Sequence, residues 1–441
     1  MKRLLFAFTL FMAHSAMMMA GGLMTNTNYH IAFDRMFARG ATFEIDAAYS
    51  NPAGLAWGHD GWQLSLNLQK PWQNRDIDLT IPGFLGQDFN QKYKGKASAP
   101  VVPAFFAAYK DDQWAVSGMI GIVGSGGFVK YDDGVPMFNV PMTALLAMNG
   151  IMPNQYTLDS QMKGKQYIYG GQVNFTYRLL DCLSAAVGLR ANYYDGYYRG
   201  HVVAQMGDAR LVNLQLDCLQ RGWGFTPLFS VDYNEGPLTL TARYELRTKL
   251  NPKNDTRDLQ ATIAGMDQAT TNALLGDKIR PYMDGERTRY DMPALLAVTL
   301  GYEINPQLRA AVEYHYFDDK HAKMGNDRQL ELKHGTYEIL AGVEYDIDDR
   351  FTVSCGGQRT DYGLTDGYQQ NTSFACDSYS LGLGGAVNLT DQLRLNVSYF
   401  CTIYSDYKKE STNTYNTYGM PNTEVYSRTN HVVGIGLDYK F

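Results

Sequence analysis

Three short constellations in this chain have residue types that could support catalysis or hold a metal, and each lacks part of the set it needs. Ser125 stands in the run VGSGG at 123–127, where Val123 occupies the place of the first glycine of a G-x-S-x-G nucleophile elbow. The run GLGG at 382–385 follows an alternating segment but opens no helical pattern, so it does not read as a dinucleotide-binding turn. His315 and His321 flank Asp318 and Asp319 at a spacing that matches no common metal site. The five cysteines (Cys182, Cys218, Cys355, Cys376, Cys401) form no C-x-x-C, no zinc spacing and no disulfide framework. The residues therefore point to no enzyme, no metal and no cofactor.

The chemistry they do offer is capture of apolar matter. The stretch VPMFNVPMTALLAMNGIMP at 135–153 concentrates Met137, Phe138, Met142, Leu145, Leu146 and Met148, with Ile151 and Met152, in what reads as a loop. Methionine and other flexible side chains make an adaptable apolar surface, unusual for an exposed connection. Leu259, Ile263 and Met266 repeat at helical spacing in a second long connection. Such short helices either line a groove or pack on each other as a lid. Each buried CH₂ contributes roughly 0.8 kcal/mol, so an alkyl chain of about fourteen would supply on the order of 11 kcal/mol gross. Arg190, Arg243 and Arg247 are expected to face an interior, as partners for a ligand carboxylate or for internal acidic groups.

The elements that must position these residues follow from composition and period. The chain has 441 residues, a net charge of −6 and no block of Lys or Arg, which argues against a nucleic-acid partner. Its mean hydropathy of −0.31 excludes a bundle of membrane helices. Lys2 and Arg3 precede an apolar run from Leu4 to Ala20, which reads as a cleaved signal peptide over 1–20. With 32 Tyr and 20 Phe, the chain suits strands at a membrane–water boundary.

Beyond residue 60 apolar and polar residues alternate. Leu238, Leu240, Ala242 and Tyr244 share one face, and Thr239, Thr241, Arg243 and Glu245 share the other. Such segments fall near 62–69, 103–109, 114–121, 164–177, 184–194, 223–233, 238–247, 294–302, 308–316, 337–345, 351–360, 374–387, 393–404 and 429–441. Connections of about four to six residues alternate with connections of about thirteen to forty-six. That is the build of an outer-membrane barrel, with both termini on the short-turn, periplasmic side. Its lipid face is apolar because hydrocarbon offers a backbone no hydrogen-bond partner.

The last strand places His431, Val433, Ile435, Leu437, Tyr439 and Phe441 on one face. A terminal aromatic after alternating apolar residues resembles the signal read by the barrel-assembly machinery. Residues 21–61 do not alternate, and their apolar content fits a plug. The expectation is an all-β fold: a 14-stranded antiparallel transmembrane β-barrel over 62–441, with an N-terminal plug (hatch) over 21–61 and long loops at 122–163 and 248–293.

The run NTN, ARGA and DAAYSNPAGL near the N-terminus, with Asn51-Pro52-Ala53, and the run DMPALLAVTLGYEINPQLRAAVEY at 291–314 resemble the FadL/TodX family of outer-membrane transporters for long-chain fatty acids and aromatic hydrocarbons. The resemblance implies a monomeric barrel in Gram-negative outer-membrane lipid, blocked by an N-terminal hatch. It further implies capture of a hydrophobic small molecule by extracellular loops and passive lateral exit through a kink in the third strand. Here that strand runs into GMIGIVGSGG at 118–127, with Gly121 and Gly124 as bend candidates. Gly21 and Gly22, at the start of the mature chain, and Asn51, Pro52 and Ala53 are the expected gating residues. The alternatives are a surface-exposed interaction or secretion-accessory barrel on the same scaffold, and an open diffusion porin.

Overall fold

The computed structural model describes residues 29–99, 101–267, 269–271, 280–412 and 418–441. The expected signal peptide and the first residues of the expected hatch, Gly21 and Gly22 among them, lie outside the described residues. The strands are β1 (Gly61–Ile81), β2 (Phe89–Ser98), β3 (Val102–Asp111), β4 (Trp114–Tyr131), β5 (Thr157–Leu180), β6 (Leu183–Met206), β7 (Ala209–Glu235), β8 (Leu238–Glu245) and β9 (Lys253–Ile263). They continue with β10 (Leu295–Asn305), β11 (Leu308–Phe317), β12 (Tyr337–Asp346), β13 (Phe351–Asp361), β14 (Ser378–Asn388), β15 (Leu393–Tyr404), β16 (Tyr407–Ser411) and β17 (Asn422–Lys440).

Fourteen of them pair in sequence around a closed antiparallel barrel, sealed where β1 meets β17 from Gln63↔Lys440 to Thr80↔Thr423. The other three, β2, β9 and β16, add to the upper halves of β1, β7 and β17.

The wall is inside out relative to a water-soluble protein. Leu66, Val173, Phe225, Leu300, Val312, Leu383 and Ile435 are exposed on the outer surface, whereas Asn67, Asn174, Glu313, Glu338 and Asn396 are buried within. Charged and amide side chains inside find partners there, while the outer face has only hydrocarbon to meet. On β17, Val433, Ile435, Leu437, Tyr439 and Phe441 all lie on the exposed face, as the alternation predicts.

The strands differ in height. Those from β10 to β15 have 10 to 12 residues, but β4 to β7 have 18 to 27. A tilted strand crosses a bilayer in roughly 9–11 residues, so one side of the barrel continues well past the membrane.

This height accounts for the main departures from expectation. The stretch 195–222 is not a loop: β6 and β7 run on to a tight turn between Met206 and Ala209. Beyond the lipid neither face must be apolar, so the hydrophobic alternation fades while the backbone ladder persists. For the same reason Cys218, expected in a loop, is buried in β7.

Leu259 and Ile263 are not helical. They belong to β9, with Leu216↔Leu259 and Val212↔Ile263 across the ladder. The upper half of β7 would otherwise present an unpaired edge, and pairing satisfies it at the expense of local helical spacing. Tyrosine is used in the interior as well as at the boundary: Tyr93, Tyr194, Tyr198, Tyr368, Tyr418 and Tyr426 are fully buried. Among the described residues all five cysteines are free.

Val312 stands mid-strand on the outer face, opposite Leu300 and Ala341. Val312→Arg is expected to destabilise the barrel by about 2–4 kcal/mol, as a cation in hydrocarbon does. Denaturant unfolding of protein folded into lipid vesicles measures it.

Candidate functional site

The segment ahead of β1 fills the lower lumen. It consists of helix α1 (Ile31–Met36), the single turn α2 (Ala47–Ser50) and a 3₁₀ turn over Pro52–Trp57. Nearly all its residues are buried.

The Asn-Pro-Ala turn is held by polar side chains of β5, β6 and β7. Asn51 Nδ2 donates to Asp232 Oδ2 at 2.6 Å, and Trp57 Nε1 donates to the other carboxylate oxygen at 2.9 Å. Ser230 Oγ accepts from the Ala53 amide at 2.9 Å, while Thr176 and Ser184 donate to the carbonyls of Pro52 and Ala53 at 2.8 and 2.7 Å. Proline presets the turn and contributes no N–H that would need a partner.

Across the lumen, α1 lies against a wall of glycines. A Cβ at Gly342 or Gly356 would overlap the Met36 carbonyl, one at Gly382 the Asp34 carbonyl, and one at Gly434 the Ile31 side chain. The small residues of β12, β13, β14 and β17 thus make room for a helix inside the barrel.

The charges of this lower region are paired. Arg35 meets Glu344, Arg39 clasps Asp46 with Nε–Oδ2 and Nη2–Oδ1 both at 2.8 Å, and Arg309 spans Glu344 and Asp346. Arg190 and Arg243 share Glu245, and Arg243 also donates to the Tyr49 carbonyl. These two arginines, expected as possible ligand anchors, are therefore committed to an internal carboxylate. Arg247 departs from expectation in another way: β8 ends at Glu245, so its side chain is exposed and donates to the His321 carbonyl.

Above α1 lies a cavity of about 210 Å³. Tyr29, Phe33 and Phe37 form its floor, Phe400 and Val432 one wall, and Val102, Ile122 and Phe128 the other. Gln73, Arg75, Asn430 and Arg428 also face it.

The barrel wall is interrupted beside it. β4 pairs with β3 only as far as Ile120↔Phe105, and its next partner on that side is β2, from Val129↔Ala97. Among the described residues, neither β3 nor β2 extends its ladder with β4 over 121–128. On its other side β4 takes two register shifts against β5, between Ile122 and Gly124 and between Ser125 and Gly127. Each bulge opposes two residues to one, which breaks the alternation and bends the strand. Ile122 and Val123 are consequently both buried. The glycine-rich run is thus an irregular strand rather than the start of a loop.

Over the tall end lies helix α3 (Pro136–Met148). Met142, Leu145 and Leu146 pack with Val202, Ala204, Leu211, Val212 and Ile263, and Phe138 and Met266 border the same cluster. The fold thus brings together residues from both connections that the sequence singled out, in the manner of a packed lid. Met137 lies half-buried in the adjoining tyrosine-rich cluster, Leu259 is half-buried, and Met148 is exposed.

None of these lines the 210 Å³ cavity. Its two arginines were missed because strand β1 was expected to stop at 69 and β17 to begin at 429. His315 is buried between Glu313 and Glu338, and His321 is exposed against Asp318, so the two do not converge.

A family model described as an outer membrane protein β-barrel domain matches residues 248–441. Among curated proteins none matches the sequence. Among solved structures, a Pseudomonas aeruginosa FadL homologue superposes with a TM-score of 0.71 at 13% identity, covering 95% of this chain and 100% of that one. The Pseudomonas putida toluene transporter TodX gives 0.56 at 13% identity, covering 91% and 95%. The Ralstonia pickettii toluene transporter TbuX gives 0.53 at 12%, covering 90% and 94%. At such identities the likeness is one of fold, and it extends over nearly the whole of each chain.

Asp34 is expected to make the stability of this segment depend on pH. Burial pushes its carboxyl well above the usual carboxylate range, outweighing the opposing effect of Ser398. A carboxyl with a raised folded pKa contributes stability at low pH that is lost as pH rises through that value. Amide-exchange protection of residues 31–36 is expected to fall as pH is raised, and Asp34→Asn to flatten the dependence. Protection that is independent of pH in the unaltered chain would refute this.

Proposed function

We propose that this barrel of the FadL type carries hydrophobic small molecules across the outer membrane of a Gram-negative bacterium by passive lateral diffusion. The observation that carries the reading is the cavity beside residues 121–128 of β4, where the wall has no ladder on one side. An amphiphile leaving by that path would enter the bilayer sideways and avoid the charged, tightly paired lumen below. The apolar packing under α3 supports capture at the tall end, where a ligand could exchange with methionine and leucine contacts at little cost in shape.

Size bears on the ligand. A dry apolar cavity of about 150 Å³ accommodates benzene. The larger space here, about 210 Å³, suits one substituted ring or a segment of alkyl chain. Long-chain fatty acids and aromatic compounds are both within the reading, and the known transport of toluene by barrels of the same fold supports it.

Tyr29, Phe33 and Phe37 link the cavity to the hatch. A ligand that fills the cavity presses on the segment leading back to Gly21 and Gly22, so its arrival would displace the N-terminus and open the path. Asn51, Pro52 and Ala53 act as the fixed end of this gate, and Gly121 and Gly124 as the flexible wall.

The wall is tested directly by removing Val123 and Gly126, the residue that each bulge adds. This restores a regular register with β5. Uptake of radiolabelled oleate or toluene is expected to fall at least tenfold, with barrel assembly intact by heat-modifiable mobility. Undiminished uptake would exclude the lateral path. Mass spectrometry of co-purified lipids identifies the ligand class independently.

A further inference from the structure

Arg75 on β1 and Arg428 on β17 are directly opposite each other in the seam that closes the barrel. Residues opposite in an antiparallel ladder project to the same face with their Cβ atoms about 5 Å apart, and like charges there are destabilising. Both side chains line the 210 Å³ cavity. Arg75 is 2% exposed. The arginines around the hatch, Arg35, Arg39, Arg190, Arg243, Arg309 and Arg394, all have a carboxylate, whereas the buried Arg328 donates to the Tyr368 and Ser373 carbonyls and does not line this cavity.

The partners of this pair are different in kind. Arg75 donates to the Phe374 carbonyl at 2.8 Å and lies over the Phe374 ring. Arg428 reaches Gln73 Oε1 at 3.5 Å and lies over the Tyr404 ring, and its Nε has no hydrogen-bond partner among the described residues. Neutral acceptors and ring faces satisfy some N–H groups but leave two positive charges side by side. The described cavity lining contains no Asp or Glu to balance them.

A buried guanidinium, Arg75, and a half-buried one, Arg428, face one space without a carboxylate among its described lining residues, which suits an anion in that space. The remainder of the lining is mixed: Gln73, Gln358, Thr360, Ser380, Thr402 and Asn430 are polar, and the apolar residues lie together on the floor and one side. Phe33, Phe37, Phe400, Ile122 and Phe128 form an apolar floor and side that continue to the break in β4. Along β1 the break lies near Gln69, opposite Val102, and Arg75 is farther toward the tall end. A molecule held by its head at Arg75 and Arg428 would extend its tail toward the wall opening.

We infer that Arg75 and Arg428 form a carboxylate-binding pair and that the cargo is an anionic amphiphile rather than a neutral hydrocarbon. The planar guanidinium fork matches a carboxylate in two-point geometry, and a carboxylate between the two groups relieves their mutual repulsion. This rests on the transport reading above and narrows its substrate class. The tail, alkyl or aryl, is the variable that the experiment resolves.

The test is calorimetric titration of the purified, delipidated barrel in nonionic detergent with four probes: oleate, oleyl alcohol, benzoate and toluene. At least one acid is expected to bind about ten- to a hundredfold more tightly than its neutral counterpart, the range for hydrogen bonds to charged groups. The pair that shows this difference identifies the tail. Arg75→Gln and Arg428→Gln should each abolish the difference while leaving the neutral probe's affinity unchanged, and Arg75→Lys should retain part of it.

Because Arg428 makes little contact besides Tyr404 and Gln73, the ligand-free Arg428→Gln barrel should unfold at an unchanged or higher temperature. Equal affinity for acid and neutral probe overturns the inference but leaves transport standing. So does an acid preference that survives both substitutions, or a clear loss of thermal stability in ligand-free Arg428→Gln, which would mark the pair as structural. Binding of none of the four probes removes the transport reading and this inference with it.

Discussion

A backbone in hydrocarbon has no water to bond with, and most of this structure follows from that. Each unsatisfied N–H or C=O there costs several kcal/mol, so the ladder must close on itself. The pairing of β1 with β17, the apolar outer face and the polar lumen are consequences of it. Against such a rule, a stretch of β4 that lacks a ladder on one side among the described residues is conspicuous. That stretch carries two bulges against β5 and adjoins the cavity.

The lumen obeys a second constraint. Once polar residues are turned inward, their charges must be balanced inside a space that is largely filled. The segment ahead of β1 achieves this by supplying Arg35 and Arg39 to Glu344 on the wall and Glu44 to Arg394, while Arg39 also pairs with Asp46 within the segment. Glycines on β12, β13, β14 and β17 let α1 approach closely enough for these pairs to form. Removing one member of such a buried pair costs more than the pair itself contributes, because the other charge is left stranded. The hatch is therefore secured on both flanks: by ion pairs and glycine contacts at α1, and by hydrogen bonds at Asn51, Pro52 and Ala53. Tyr29, where the described part of this segment begins, also lines the cavity.

Height separates two functions along one wall. Where strands match the bilayer, as from β10 to β15, the inner face of the sheet seats α1 and lines part of the cavity. Where they overshoot it, from β4 to β7, the extra length carries a lid. The cluster of Met142, Leu145 and Leu146 rests on Val202, Ala204 and Leu211 of the tall hairpin, and Ile263 arrives on an added strand. Apolar side chains far from the lipid are thereby kept from water.

The number of spanning strands, their inward and outward faces, the placement of the short turns and the position of the hatch segment were all legible in the residues. Each depends on a local rule: period two, a short turn, or an absence of alternation. The same rule failed where its cause ended. Beyond the bilayer no force sorts apolar from polar faces, so the upper halves of β6 and β7 and the whole of β9 left no hydrophobic pattern to read.

Site residues divided in a similar way. Apolar residues of two distant connections could be singled out by composition, but their meeting in one lid depends on tertiary contact. The roles of the arginines could not be read locally at all. Arg190 and Arg243 are occupied because Glu245 stands between them, and Arg75 and Arg428 are left facing a cavity because closure brings opposite ends of the chain into register. Charge is a property of one residue, whereas whether that charge is balanced depends on what the fold sets within about 4 Å of it.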